Sequence, residues 1–147
     1  MPAGPARSVL AFDYGERRIG VAAGNTLTAT ARPLATLRNS VSGPDWEAIA
    51  RCFESWRPEV VVVGVPYNMN GTRGRLAQAA EDFAAELGAR FGAEVVTVDE
   101  RLSSREAEET LRERRRSGAL RRRVRREDVD GEAASVLLRQ WLCGPGR

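Results

Sequence analysis

Apolar positions in the first forty residues come in short runs, not in helical stripes. Val9, Leu10, Ala11 and Phe12 form one run, and Ile19, Val21 and Ala22 form another beyond Tyr14-Gly15-Glu16. Runs of this length on either side of a Gly-containing turn predict strands over 8–13 and 17–23, with a third over roughly 28–37. The period then changes. Trp46, Ile49, Ala50 and Phe53 share one helical face after Ser42-Gly43-Pro44-Asp45, with Asp45 in the first turn and Pro58 closing the helix. Residues 59–66, EVVVVGVP, are the continuous β-branched run of a strand buried on both faces. Leu76, Ala80, Phe83, Ala84, Leu87 and Phe91 mark a long amphipathic helix from Arg73, and residues 93–100 a further buried strand. Ser103 with Glu106 fits a capping box for a helix running toward Arg116, and a last helix is expected from Asp128 to Leu142.

Three meandering strands followed by helix–strand alternation predict an α/β fold: a mixed sheet with helices on both faces. The 147 residues are enough for one domain, 1–147, with tails expected at 1–7 and 143–147 and an Arg-rich loop at 117–127. No apolar run approaches the length of a membrane span, and residues 1–8 have no hydrophobic signal region. Cys52 and Cys143 have no CxxC spacing and are expected as reduced thiols. A cytoplasmic protein is the expectation.

Composition narrows the chemistry. Histidine is absent, which excludes Ser-His-Asp and Cys-His catalysis and His-ligated zinc. Lysine is absent too, since all 23 basic residues are Arg, so Schiff-base chemistry and Walker-type phosphate loops drop out. Charge is unevenly spread. Residues 1–100 hold 10 Arg and 12 acids, net −2, whereas 101–147 hold 13 Arg and 8 acids, net +5. Nine Arg fall within the fifteen residues 112–126, the footprint of a phosphate-rich partner.

Carboxylates must carry any reaction. In an α/β sheet, sites collect at the carboxyl ends of strands. Asp13 ends the first strand, and Asp99 and Glu100 end the last. Asp130 lies four residues before Ala134 and seven before Leu137, on the core-facing side of the final helix. Two such acids 4 Å apart repel by about 4 kcal/mol at an effective dielectric of 20. Divalent cations relieve that cost, and oxygen ligands suit Mg²⁺ or Mn²⁺. Two ions are the usual clamp for phosphodiester cleavage.

Four stretches now stand in order: FDYGERRIGVA, VVGVPYNMNGT, VDERLSSREAE and VDGEAASVLL. Together they resemble the YqgF family, also called RuvX, over nearly the whole chain from Val9 to Leu142. The resemblance implies the RNase H-like fold of the resolvase RuvC, a five-stranded mixed sheet in the order 3-2-1-4-5. It implies that Asp13, Glu100 and Asp130 are the catalytic and metal-binding acids, holding Mg²⁺ or Mn²⁺, two ions in all. The implied function is a nuclease for 5′-end maturation of pre-16S rRNA, with four-way DNA junctions as the alternative substrate. This chain departs from the pattern at Gly24-Asn25, where relatives often carry Ser-Asp.

Substrate contacts are expected from Arg17, Asn68, Arg73, Arg101, Arg121, Arg122 and Arg123. Arg17 and Arg18 alternate faces, so one of them at most points at the site. Tyr14 and Tyr67 lie beside the expected site loops, where a half-buried aromatic and a base-stacking one are both open. Trp46, Trp56 and Trp141 are expected in the core, and Glu132 in solvent. The partner is nucleic acid, with a homodimer as one possibility and no membrane. A non-catalytic nucleic-acid-binding module is the competing reading, disfavoured because a simple binder has no use for converging acids. A phosphotransferase of the actin and sugar-kinase type needs two such domains, and this length supplies one.

Overall fold

The computed structural model describes residues 7–66, 74–99 and 126–143, and for 126–131 the backbone alone. The chain runs β1 (Ser8–Tyr14), β2 (Arg18–Asn25), β3 (Thr30–Ser40), β4 (Gly43–Pro44) and α1 (Trp46–Trp56). It continues through β5 (Val60–Val65), α2 (Arg75–Phe91), β6 (Glu94–Asp99) and α3 (Arg126–Leu142). The strands form one sheet in the order β4-β3-β2-β1-β5-β6. β1 pairs antiparallel with β2 and parallel with β5, and β5 pairs parallel with β6, so the sheet is mixed.

The expected order of the five main strands stands, but the sheet has six strands. The extra one is Gly43–Pro44, which pairs with Asn39 and Ser40 across a turn where Gly43 has φ 111°. Only glycine adopts that conformation readily, so these residues close a hairpin and Asp45 becomes the helix cap. The Asp45 carboxylate accepts from the Ala48 N–H at 3.1 Å. α1 ends at Arg57, in the left-handed region at φ 43°, with Pro58 behind it. β3 reaches Ser40, beyond its expected end, and tolerates Pro33 because the ladder to β2 is irregular there, between Val21 and Ala22. α3 begins at Arg126, two residues before its expected start. Arg7, counted with the tail, is tied down: its N–H donates to Thr26 Oγ1 and its guanidinium pairs with Glu59 and Glu94. The helix expected from Ser103 and most of the Arg-rich loop lie outside the described residues.

Alternation along the strands divides two cores. Leu10, Phe12, Ile19, Val21, Val61 and Val63 face α1 and α2, packing on Ile49, Phe83, Ala84 and Leu87. Phe83 is the hub of this face, its ring 5.7 Å from Phe12, 5.1 Å from Tyr14 and 5.6 Å from Trp46. Val9, Ala11, Ala22, Val60 and Val62 face the other way and pack on Ala134, Leu137, Leu138 and Trp141 of α3. All three tryptophans belong to these cores. Among the described residues no helix is long and apolar enough to cross a membrane.

Candidate active site

β1 lies centrally in the sheet, between β2 and β5, and Asp13 is its second-last residue. The burial pattern gives the setting of this carboxylate: Val9 to Phe12 are buried, and Asp13 is half-buried where the strand emerges. Asp13 shares the face of Val9 and Ala11, the face covered by α3. Its in-register neighbours are Gly20 on β2 and Gly64 on β5. Neither carries a side chain, so the carboxylate is flanked on both sides by bare backbone. At any other pair of residues, two side chains would stand beside it at the usual cross-strand spacing of about 5 Å.

The same parity sorts the other residues. Val96 and Val98 of β6 pack with the α3 core and Val95 with the opposite core. Asp99, exposed, therefore belongs to the face away from Asp13. Tyr14 also turns away, against Phe83. Gly15 makes the turn after β1, where a Cβ would lie 2.6 Å from the Arg18 carbonyl oxygen. Buried Asn39 holds that turn to β3, donating from Nδ2 to the Gly15 carbonyl at 2.7 Å while its own N–H donates to the Arg17 carbonyl at 2.9 Å. Arg17 stands in the turn before β2, whereas Arg18 is in β2 on the face of Asp13. Across the sheet, Asp13, Gly20 and Thr36 form one row, and Arg18 pairs with Arg38 in the next row on that face. Nothing in the sequence marked Arg38; its place follows only from the β2–β3 register.

α3 docks closely. A Cβ on Gly24 would come 2.9 Å from Leu138 Cδ2 and 2.3 Å from the Thr30 carbonyl oxygen. Gly24-Asn25 sits opposite Ser8 and Val9, at the far end of β1 from Asp13. Four to five residues of strand separate them, about 13–17 Å. The departure from the relatives' Ser-Asp is thus remote from Asp13: Gly24 admits α3, and Asn25 caps a turn by accepting from the Leu27 N–H at 2.8 Å. Glu132, expected in solvent, is buried at 4 % exposure, with Arg139 Nη2 3.7 Å from its Oε1. Residues 132–138 are all buried, so this part of α3 has no solvent side to offer.

Asp130 lies in the first part of α3, backbone only, while Glu100, Asn68, Arg73, Arg101, Arg121, Arg122 and Arg123 are outside the described residues. Tyr67 is outside them too. Among the described residues no group of three metal-ligating side chains occurs. The one placed acid, Asp13, offers hard oxygen donors in a glycine-flanked position, which suits a small divalent cation.

The family described as RuvX, Holliday junction resolvase, matches residues 7–144. The chain belongs to the RuvX family. A protein of Burkholderia lata named "Putative pre-16S rRNA nuclease" is 47% identical over 135 residues, covering 92% of this chain and 88% of its own length. One of the same name from Paraburkholderia phytofirmans is 42% identical over 144 residues, covering 98% and 93%. Among solved structures, Thermus thermophilus RuvC in complex with Holliday junction substrate aligns with TM-score 0.53 at 22% identity, covering 92% of this chain and 93% of that one. The Fowlpox virus resolvase with its junction DNA aligns with TM-score 0.55 at 11% identity, covering 93% and 99%. The fold is therefore the RNase H-like fold of the RuvC-type resolvases.

Proposed function

We propose that this RuvX protein is a Mg²⁺- or Mn²⁺-dependent endonuclease that matures the 5′ end of pre-16S rRNA. The observation that carries the reading is Asp13: a half-buried carboxylate at the carboxyl end of the central strand, in register between Gly20 and Gly64. The names of relatives at 42% and 47% identity supply the substrate class. Asp13, Glu100 and Asp130 act together as the ligands for the metal. One feature supports the grouping. The eight residues from Asp130 to Leu138 rise about 12 Å along a helix. The four from Val9 to Asp13 span about 13 Å of strand. With Leu138 seated at Gly24, beside Val9, these lengths match an α3 whose first turns reach the level of Asp13.

When bound, such ions lower the pKa of a water and steady the leaving oxygen. The chain's own acids would hold the metal and orient the phosphodiester at the end of the central strand. Arg17, Asn68, Arg73, Arg101, Arg121, Arg122 and Arg123 are assigned to binding the strand, the Arg residues through charge-assisted hydrogen bonds to phosphate.

Incubating the protein with labelled pre-16S rRNA leader and with labelled four-way DNA junctions, in Mg²⁺ and in Mn²⁺, tests this. Discrete cleavage of the leader supports the reading. Symmetrical cleavage of the junction alone would move the function to junction resolution, which the family description favours and which requires two copies on a two-fold substrate. Binding without cleavage of either would leave only a nucleic-acid-binding module.

A further inference from the structure

At the β3 side of Asp13 the sheet carries a second basic feature, far in sequence from the Arg-rich block. Arg17, Arg18 and Arg38 line a depression of about 460 Å³, together with Thr36, Ser40 and two further residues, none of them acidic. Arg18 and Arg38 are directly opposite each other on adjacent strands and on the same face. Like charges so placed repel. Among the described residues neither guanidinium is ion-paired, although the chain forms such pairs elsewhere, at Arg7, Arg90 and Arg139. The turn that holds the pair in place is itself pinned, through buried Asn39 and its two bonds to Gly15 and Arg17.

Position gives the repulsive pair a use. The row of Arg18 and Arg38 lies two residues beyond the row of Asp13, Gly20 and Thr36, on one face. Two residues of strand and one or two interstrand steps place their Cα atoms about 8 and 12 Å from that of Asp13. At that spacing the two side chains can meet a phosphate next to the one held at Asp13 on a strand lying across the sheet end. Two Arg side chains whose Cβ atoms stand about 5 Å apart on one face can converge on a single anion.

We propose that Arg18 and Arg38 form a clamp for a single backbone phosphate of the nucleic acid, adjacent to the bond held at Asp13, with Arg17 at its rim. The clamp deepens the nuclease reading and rests on it for the identity of the strand. It fixes the strand's path: from Asp13 toward the β3 edge of the sheet. The bound phosphate also neutralises the Arg18–Arg38 repulsion, so the pair is better tolerated with nucleic acid than without.

The test measures binding of a fluorescent single-stranded RNA, in chelator so that no cleavage intervenes, across a salt series. The variants are Arg18→Gln with Arg38→Gln, and Arg18→Lys with Arg38→Lys. The Gln pair is expected to weaken binding about tenfold, the worth of a charge-assisted contact. It should also reduce the slope of log affinity against log salt by about 0.7, the value for one phosphate on a single strand. Its melting temperature should not fall, because a repulsion has been removed. The Lys pair keeps the charges, so it should retain the wild-type slope while losing affinity through the lost bidentate geometry. Unchanged affinity and slope in the Gln pair overturn the clamp, as does loss of the slope in the Lys pair. An inactive wild type that binds RNA through these residues sinks the nuclease reading and spares the clamp. An active wild type whose Gln pair binds unaltered does the reverse.

Discussion

Gly24→Ala and Gly88→Ala are one chemical change with opposite expected signs. At Gly24 the new methyl would lie 2.3 Å from the Thr30 carbonyl oxygen and 2.9 Å from Leu138 Cδ2. Ordinary contacts begin near 3.4 Å, so about 1 Å of movement is needed against backbone on one side and a packed Leu on the other. Leu138 is fully buried and cannot swing into solvent, and moving Thr30 opens the β2–β3 hairpin. Overpacking of this kind costs about 1–3 kcal/mol. In a chain of this size that lowers the melting temperature by about 2–12 °C. At Gly88, inside α2, the same methyl would meet only Val95 Cγ2 at 3.6 Å and the Ala93 carbonyl oxygen at 3.9 Å, both comfortable distances. There the gain is lower chain entropy in the unfolded state and better helix propensity, about 0.5–1 kcal/mol, or a rise of about 1–4 °C. Thermal melts of the two variants beside wild type, with urea midpoints as a check, decide the matter. A Gly24→Ala protein that melts at or above wild type refutes the close docking of α3.

Phe83→Ala should cost about 3–5 kcal/mol, since its ring meets Phe12, Tyr14 and Trp46 in one cluster, and urea unfolding will show it. Of the two free thiols, exposed Cys143 should be alkylated first, and half-buried Cys52 slowly until denaturant is added; equal rates would contradict the packing of α1. Burial raises the Cys52 thiol pKa, partly opposed by Arg51. The folded state therefore favours the neutral thiol, so this contribution to stability is complete below the unfolded pKa and is lost as pH rises through the folded value. Cys52→Ala should remove that alkaline loss. Mn²⁺ at 100 times its Kd should stabilise wild type by about 2.7 kcal/mol. In Asp13→Asn that shift should shrink, while the melting temperature in chelator should hold or rise, as the proposed grouping of Asp13 with Glu100 and Asp130 requires.

Why some of this was legible in sequence and some was not has physical causes. The four consecutive valines of β5 and the run before Asp13 are buried on both faces, and continuous apolar runs announce such strands directly. Asp13 stood out because a carboxylate ending such a run needs a reason to be there. α1 and α2 were visible because each has one buried stripe and one wet face. α3 was harder to read at Glu132, because residues 132–138 are buried on every side and an acid there does not mark solvent. β4 is two residues long, too short for any period, and its Gly-Pro suggested a helix start. Arg17 and Arg18 were ambiguous because parity is undefined at a turn; only the register from Tyr14–Ile19 onward gives Arg18 the face of Asp13. Gly24-Asn25 is near Asp13 in the motif yet at the other end of the strand, since antiparallel pairing carries residues back along β1.

Asp13 is the acid on which the account turns, and the most direct test compares Asp13→Asn with wild type on a 5′-labelled pre-16S rRNA leader in Mn²⁺. Single-turnover cleavage and, in chelator, binding are measured on the same preparations. The carboxamide keeps the shape and removes the charge that would hold the proposed metal. The account predicts a cleavage rate lower by about 100-fold or more, with the dissociation constant for the leader essentially unchanged. Cleavage by Asp13→Asn at the wild-type rate would contradict it, because the chemistry would then have to lie elsewhere in the molecule.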